Sequence, residues 1–312
     1  MSKNILELFS LDIDNRTVFV GSDLSTRELC FYVIKNDRLT IIPKELHDEV
    51  SKKIFDKSGV NTSLKELLES LVRTYAEDNT NKSYDNSNLN KNWKNIRILC
   101  SQSSFNKSSA SYEAINNTLN FELPKELLNF SQLLPLQVKA TLHTILIHEI
   151  GHMSVSELQI ENNSLVGKVG FIEKRFPLKE SLLTTDGNNY FRAEMDIEPQ
   201  TNEGQGLEEL FNELETDERA NSATAPRFAH ELDNLTNGKL RIARQNHSLE
   251  SYYSMMQEII PSEDMAKMLL IAINKYYELL HSQNNELVNQ INSVISQIIL
   301  EYQIAKAKMP KK

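Results

Sequence analysis

The 312-residue chain is 40% hydrophobic and 25% charged, with a net charge of −9. This is the balance of a globular protein of one or two domains, long enough for a sizeable core. The negative charge argues against nucleic acid or an anionic membrane as partner, and two cysteines, Cys30 and Cys100, are too few for a disulfide framework and suit a reducing compartment.

The first ten residues have neither the long apolar centre nor the small-residue cleavage site of a secretory signal. No run approaches the roughly 18 apolar residues of a membrane span. The expected location is therefore the cytoplasm, with signal-independent export left open. Residues 17–43 read as β structure, with a hairpin made by Leu29–Ile34 and Leu39–Ile42 around the turn residues 35–38. Helices are expected over 44–57 and 63–77. The second has a cap at Thr62 or Ser63 and a stripe of Leu64, Leu67, Leu68, Leu71 and Val72. The Asn-rich stretch 79–90 reads as a loop. A strand is expected at 96–99, a Ser-rich loop over 101–111 and an alternating, half-buried strand over 118–124.

A helix follows from Pro135, a residue suited to the first helical position, to about Met153. It carries His148-Glu-Ile-Gly-His152, an H-E-x-x-H motif. Residues four apart share one helix face, so both imidazoles can reach a single metal ion, and the carboxylate of Glu149 can reach a water on it. Two His ligands, one further ligand and one open position describe a catalytic zinc site, with the metal lowering the pKa of its water and Glu149 taking the proton. Leu142, Ile145, Leu146, Ile147 and Ile150 make this helix apolar on most sides, hence buried. The blander account is a core helix whose two histidines are satisfied by hydrogen bonds. The strands before the helix offer an edge beside the metal, along which an extended peptide can pair.

Strands are expected at 166–172 and 189–195, joined through turn residues 186–189. After Gly204 and Gly206 an acidic helix runs to Ala220 with Glu208, Glu209, Glu213, Glu215, Asp217 and Glu218. Most of these carboxylates are expected on a solvated face. From Ser248 onward the sequence is helical: 251–260, ended by Pro261; 262–280; and 284–307, whose Ile stripe means core or a partner-binding amphipathic face. Residues 306–312 read as a frayed basic tail.

An H-E-x-x-H helix followed by a Glu on a second helix resembles the gluzincins, the thermolysin-like zinc metallopeptidases. The resemblance covers 136–156 and 204–220. It implies a Glu ligand on the acidic helix, with a second carboxylate four residues later supporting a His ligand. Two registers fit. In one, Glu209 binds zinc and Glu213 supports; in the other, Glu213 binds zinc and Asp217 supports. The letters around Asn212-Glu213 favour the second. Packing favours the first, because Leu207, Leu210, Phe211 and Leu214 surround Glu209, whereas Glu215, Glu218 and Arg219 surround Glu213 and want water. Glu209 is the expected ligand. The family also stabilises the oxyanion with a His or Tyr; Tyr252, Tyr253, His247 and Tyr190 are the candidates here.

The implied fold is α+β, a zincin-like core of a small mixed sheet and the motif helix, followed by a mostly helical C-terminal subdomain. The expected parts are an α/β module at 1–78, a polar linker at 79–92, a catalytic core at 93–224 and a helical subdomain at 225–312. The expected function is zinc-dependent hydrolysis of peptide bonds in a peptide or protein, with one Zn2+ per chain. The alternative is a zinc-containing sensor or binding module that no longer cleaves.

Overall fold

A computed structural model of the chain describes residues 2–13, 15–42, 44–55, 62–103, 108–124, 136–194, 203–281 and 284–309. The class is α+β. Contacts divide the chain into two compact units: one of Met1–Thr80, Asn86–Gly167 and Lys174–Gln200, the other of Asn81–Asp85, Lys168–Glu173 and Thr201–Lys312.

The first unit is built on an eight-stranded sheet. Strands β1 (Asn4–Ile13), β2 (Arg16–Asp23), β3 (Leu29–Lys35) and β4 (Arg38–Ile41) form one half, and β8 (Ser156–Glu161), β9 (Ser164–Val169), β10 (Ile172–Leu183) and β11 (Asn189–Ala193) form the other, in the order β4-β3-β2-β1-β11-β10-β9-β8. The halves join where β1 runs parallel to β11, with Asn4 opposite Asn189 and Leu6 opposite Phe191. The β3–β4 hairpin turns at Asn36 and Asp37, both left-handed with φ of 51° and 59°, as a two-residue hairpin turn requires. Helices α1 (Lys44–Phe55) and α2 (Thr62–Asn81) occupy the two stretches expected to be helical, α2 running four residues beyond its expected end.

A second sheet in this unit holds β5 (Arg97–Gln102), β7 (Thr118–Leu123) and β6 (Ser109–Glu113), with β7 in the middle, parallel to β5 and antiparallel to β6. The motif helix α4 (Leu136–Ser154) packs on edge strand β6 and on helix α3 (Ser87–Lys94). Pro135, expected to open α4, lies outside the described residues. Helix α4 buries Leu142, Leu146, Ile147, Ile150 and Met153, as its apolar pattern predicts.

The second unit is helical: α5 (Gln205–Ala220), α6 (Arg227–Leu235), α7 (Lys239–Gln245), α8 (Leu249–Ile259), α9 (Glu263–His281) and α10 (Asn285–Lys308). Its core gathers Leu207, Leu210, Phe211 and Leu214 of α5 with Phe228, Leu232, Tyr252, Leu269, Ile273, Ile299 and Tyr302.

Several expectations need correction. The stretch 79–92, expected as a linker, is largely helical: α2 continues to Asn81 and α3 begins at Ser87. The Asn86 side-chain amide donates to the Ala76 carbonyl (2.9 Å) and its Oδ1 accepts from the Asn79 amide (3.0 Å), which ties the turn between them. The module 1–78 is not separate, because β1 and β11 share a ladder. The acidic helix belongs with 225–312, since its apolar face is covered by those helices. The Ser-rich loop expected over 101–111 contains the start of β6, and the strand expected over 166–172 is broken by a turn at Gly170, left-handed with φ of 52°. Lys306 lies in α10 and donates to the Leu235 carbonyl, so the basic tail is shorter than expected; residues 310–312 lie outside the described residues. Among the described residues, no helix is long and apolar enough to cross a membrane.

Candidate metal centre

The motif lies on the last two turns of α4. The Nε2 atoms of His148 and His152 face each other 3.1 Å apart, with the rings edge to face. Two nitrogens bound tetrahedrally to one zinc at about 2.1 Å stand about 3.4 Å apart, so the pair fits a shared ion with a few tenths of an ångström of adjustment. Both imidazoles are half-buried, whereas Glu149 is buried. Its Oε2 accepts the backbone N–H of Tyr112 in β6 at 2.6 Å. The helix end is fixed by Asn92 of α3, whose side-chain amide donates to the carbonyls of Met153 (2.9 Å) and Ser156 (3.0 Å). Sequence reading missed both Tyr112 and Asn92. Asn92 lay in a stretch read by composition, and the role of Tyr112 belongs to its main chain, which no side-chain motif records.

Within the second unit, α5 departs from the expected solvated acidic face. Glu208, Glu215 and Asp217 are buried. For Glu208 and Glu215 the reason is Arg244 of α7, itself fully buried, a partner with no signature in the sequence. Its guanidinium donates to both oxygens of Glu208 (2.7–3.1 Å), to Glu215 (3.1 Å) and to Asn212 (3.0 Å). Arg219, expected to want water, is turned inward onto Glu215 at 2.9 Å. The Glu208 carboxylate also accepts the Phe171 N–H and lies directly against Gly170, where a Cβ would collide with it. Glycine at 170 thus serves both the positive φ and the close approach.

Asp217 accepts the N–H groups of Thr224 and Ala225 and the hydroxyls of Ser222 and Thr224 at 2.7–2.9 Å. Burial opposes its carboxylate, but these donors outweigh it and hold the pKa below the usual value. Glu218 is taken by Arg241 and Lys82. Glu209 and Glu213 are half-buried and share one face of α5, four residues apart.

Tyr277 donates its hydroxyl to Glu213 at 2.6 Å, a partner the sequence did not reveal. Burial, with the charges of Glu209 and Asp217 behind it, pushes the Glu213 carboxyl up to about 7 against the favourable Tyr277 hydroxyl. The consequence for stability has a definite sign. Between 4.5, the ordinary value, and about 7, the unfolded chain has released this proton and the folded chain still holds it. The folded state is then the one that binds more protons, so this group's contribution falls as pH rises through that window and is flat above it. In metal-free protein, urea midpoints are expected to show Glu213→Gln gaining about 1–3 kcal/mol on wild type between pH 4.5 and pH 7.5. A constant difference across the range would contradict this.

Of the four oxyanion candidates, Tyr190 and Tyr252 are fully buried in the cores of the first and second units. The Tyr252 hydroxyl is committed to the Ala266 carbonyl at 2.8 Å. Neither is placed to meet a substrate. His247 sits at a left-handed φ of 53° with Nδ1 3.3 Å from the Gly170 carbonyl, and Tyr253 is half-buried against Tyr252. Both cysteines are free, and burial pushes the Cys30 thiol up to about 11, leaving it unreactive at neutral pH.

Comparison with known proteins yields no match to this chain from any family model, any curated protein or any solved structure.

Proposed function

We propose that this chain is a zinc-dependent peptidase in which His148, His152 and Glu209 hold one zinc ion and Glu149 is the general base. The observation that carries the reading is the convergence of the two imidazole Nε2 atoms, 3.1 Å apart, beside the buried carboxylate of Glu149. When bound, zinc supplies Lewis-acid polarisation of a carbonyl and brings the pKa of a water close to neutrality. Glu149 accepts the proton of the attacking water and returns it to the leaving amine. Edge strand β6, packed on α4, gives the outward N–H of Tyr112 to Glu149 and presents the outward main-chain groups of Ala110 to an extended peptide.

Glu209 is assigned as third ligand on two grounds. Its helix is seated by Leu207, Leu210, Phe211 and Leu214, all fully buried. The competing register needs Asp217 to support a histidine, and Asp217 is engaged by the loop 222–225. Glu213, held by Tyr277, is assigned the supporting role that orients a ligand.

Elemental analysis tests the assignment. Wild type is expected to hold about one zinc per chain. Glu209→Ala is expected to lose it, and Glu213→Ala to bind it about 10- to 100-fold more weakly. A Glu213→Ala protein that is empty beside a fully loaded Glu209→Ala protein would reverse the register. Wild type that takes up no zinc or other transition metal after reconstitution would end the peptidase reading.

A further inference from the structure

We infer that Asn117, acting through Tyr112, is a positioning residue for Glu149, so that the small sheet and not the motif helix alone sets the direction of the base. This rests on the peptidase reading above and adds to it. Strand β6 is an edge, and the N–H of Tyr112 is donated to Glu149 at 2.6 Å instead of to β7. In an antiparallel pair the N–H and C=O of one residue point to the same side, so both main-chain groups of Tyr112 face away from β7 and the ladder bonds fall on its neighbours Ser111 and Glu113.

A chain of side-chain bonds anchors Tyr112 itself. The Tyr112 hydroxyl donates to Asn117 Oδ1 at 2.9 Å, and Asn117 Nδ2 donates to the Asn92 carbonyl at 2.9 Å. The Asn92 amide in turn donates to the Met153 carbonyl at 2.9 Å. The path leaves α4 at Glu149 and returns to it at Met153, one turn on. It is a closed ring.

Asn117 and Asn92 are 4% and 1% exposed, so these bonds form away from competing water. Asn117 also occupies a left-handed turn with φ of 48°, a conformation asparagine tolerates better than most residues. Its side-chain amide accepts from Tyr112 and donates to Asn92 at once; a carboxylate would set an oxygen against the Asn92 carbonyl. With Oε2 of Glu149 pinned, the plane of the carboxylate, and so the direction of Oε1, is fixed. Without the ring the carboxylate turns about a soft terminal torsion, and misorientation of a base lowers kcat more than it alters substrate binding.

Two variants of the full-length, zinc-loaded protein test this. Asn117→Gly keeps the turn and deletes both bonds; Tyr112→Phe deletes the hydroxyl that bonds Asn117, together with that hydroxyl's contacts to Arg27 and Ser156, and leaves the main chain in place. Asn117→Gly is expected to lower kcat about 10- to 100-fold, and Tyr112→Phe about 3- to 10-fold, with KM within about twofold and zinc per chain unchanged. A second readout needs no activity. In protein labelled with 15N-tyrosine, the Tyr112 amide proton, deshielded by its short bond to a carboxylate, is expected to move upfield in Glu149→Gln and in Asn117→Gly.

Wild-type kcat in both variants with an unmoved Tyr112 amide overturns the positioning role and leaves the peptidase reading standing. Wild type that binds zinc but cleaves nothing overturns the peptidase reading itself; a Tyr112 amide that still moves in Asn117→Gly then supports the ring as the device that orients Glu149. If Asn117→Gly does not fold, Tyr112→Phe decides by the same kcat and amide criteria.

Discussion

A Glu149→Gln variant is expected to lose peptide hydrolysis by roughly 100- to 10,000-fold in kcat, the usual worth of a general base, while keeping its zinc and its melting temperature. Glutamine has nearly the shape of glutamate, and its amide oxygen can still accept the Tyr112 N–H that Oε2 accepts at 2.6 Å. The bond that ties the base to β6 is therefore kept. What disappears is the ability to take up a proton. The two histidines, whose Nε2 atoms face each other on the same helix, are untouched, so metal content separates loss of chemistry from loss of the site. Proteome-wide cleavage by wild type and variant can be compared without knowing the substrate. Equal cleavage by both proteins would refute Glu149 as the base, and no cleavage by either would point to a zinc-containing binding module.

Arg244→Met is the second large effect, expected to reduce stability by about 3–5 kcal/mol, as removal of one partner of a buried ion pair does. Arg244 and Glu208 are each 0% exposed and Glu215 is 1% exposed. Methionine fills much of the space but leaves Glu208 with the Phe171 N–H at 3.3 Å and Glu215 with Arg219 at 2.9 Å. Glu208 thereby loses the guanidinium that balances its charge, whereas Glu215 keeps that of Arg219. Lysine is not expected to rescue, because a point charge cannot reproduce the forked contacts to Glu208, Glu215 and Asn212. Adding Glu208→Gln to Arg244→Met is expected to recover part of the loss, the two changes being directly coupled. Urea denaturation at constant slope measures both; a loss under about 1 kcal/mol would show that Arg244 contributes little.

The parts legible in the sequence are those whose signal is local. The H-E-x-x-H spacing announces two side chains on one helix face, and the Asn36-Asp37 turn sits between two apolar runs. What stayed hidden depends on partners distant in the chain. Strand β1 has a mixed pattern of its own and is ordered by ladders to β2 and, 185 residues on, to β11. Asn162 and Asn163 adopt left-handed φ of 47° and 60° and close the β8–β9 hairpin much as Asn36-Asp37 closes β3–β4, yet with no Gly or Asp they carry a weaker turn signal. Helix α3 looks like a loop by composition and is fixed by Asn86 and Asn92, whose partners lie on α2 and α4. The acidic helix misled for the same reason: six carboxylates in sixteen residues suggest a wet surface until the cation that balances two of them appears on α7.

The parallel junction of β1 with β11 bears on how the protein is made. A ribosome delivers β1 to β4 early, and these antiparallel neighbours can pair at once. The outer edge of β1, however, faces no strand until residues 189–193 have been synthesised. At elongation rates of about 5–20 residues per second, that interval lasts roughly 10–40 s. Throughout it the outer edge of Asn4–Leu6, which β11 later covers, offers unsatisfied main-chain donors and acceptors to any other nascent chain. Completion of the large sheet is therefore a late, long-range event in folding, and the period before it is when the chain has most need of a chaperone.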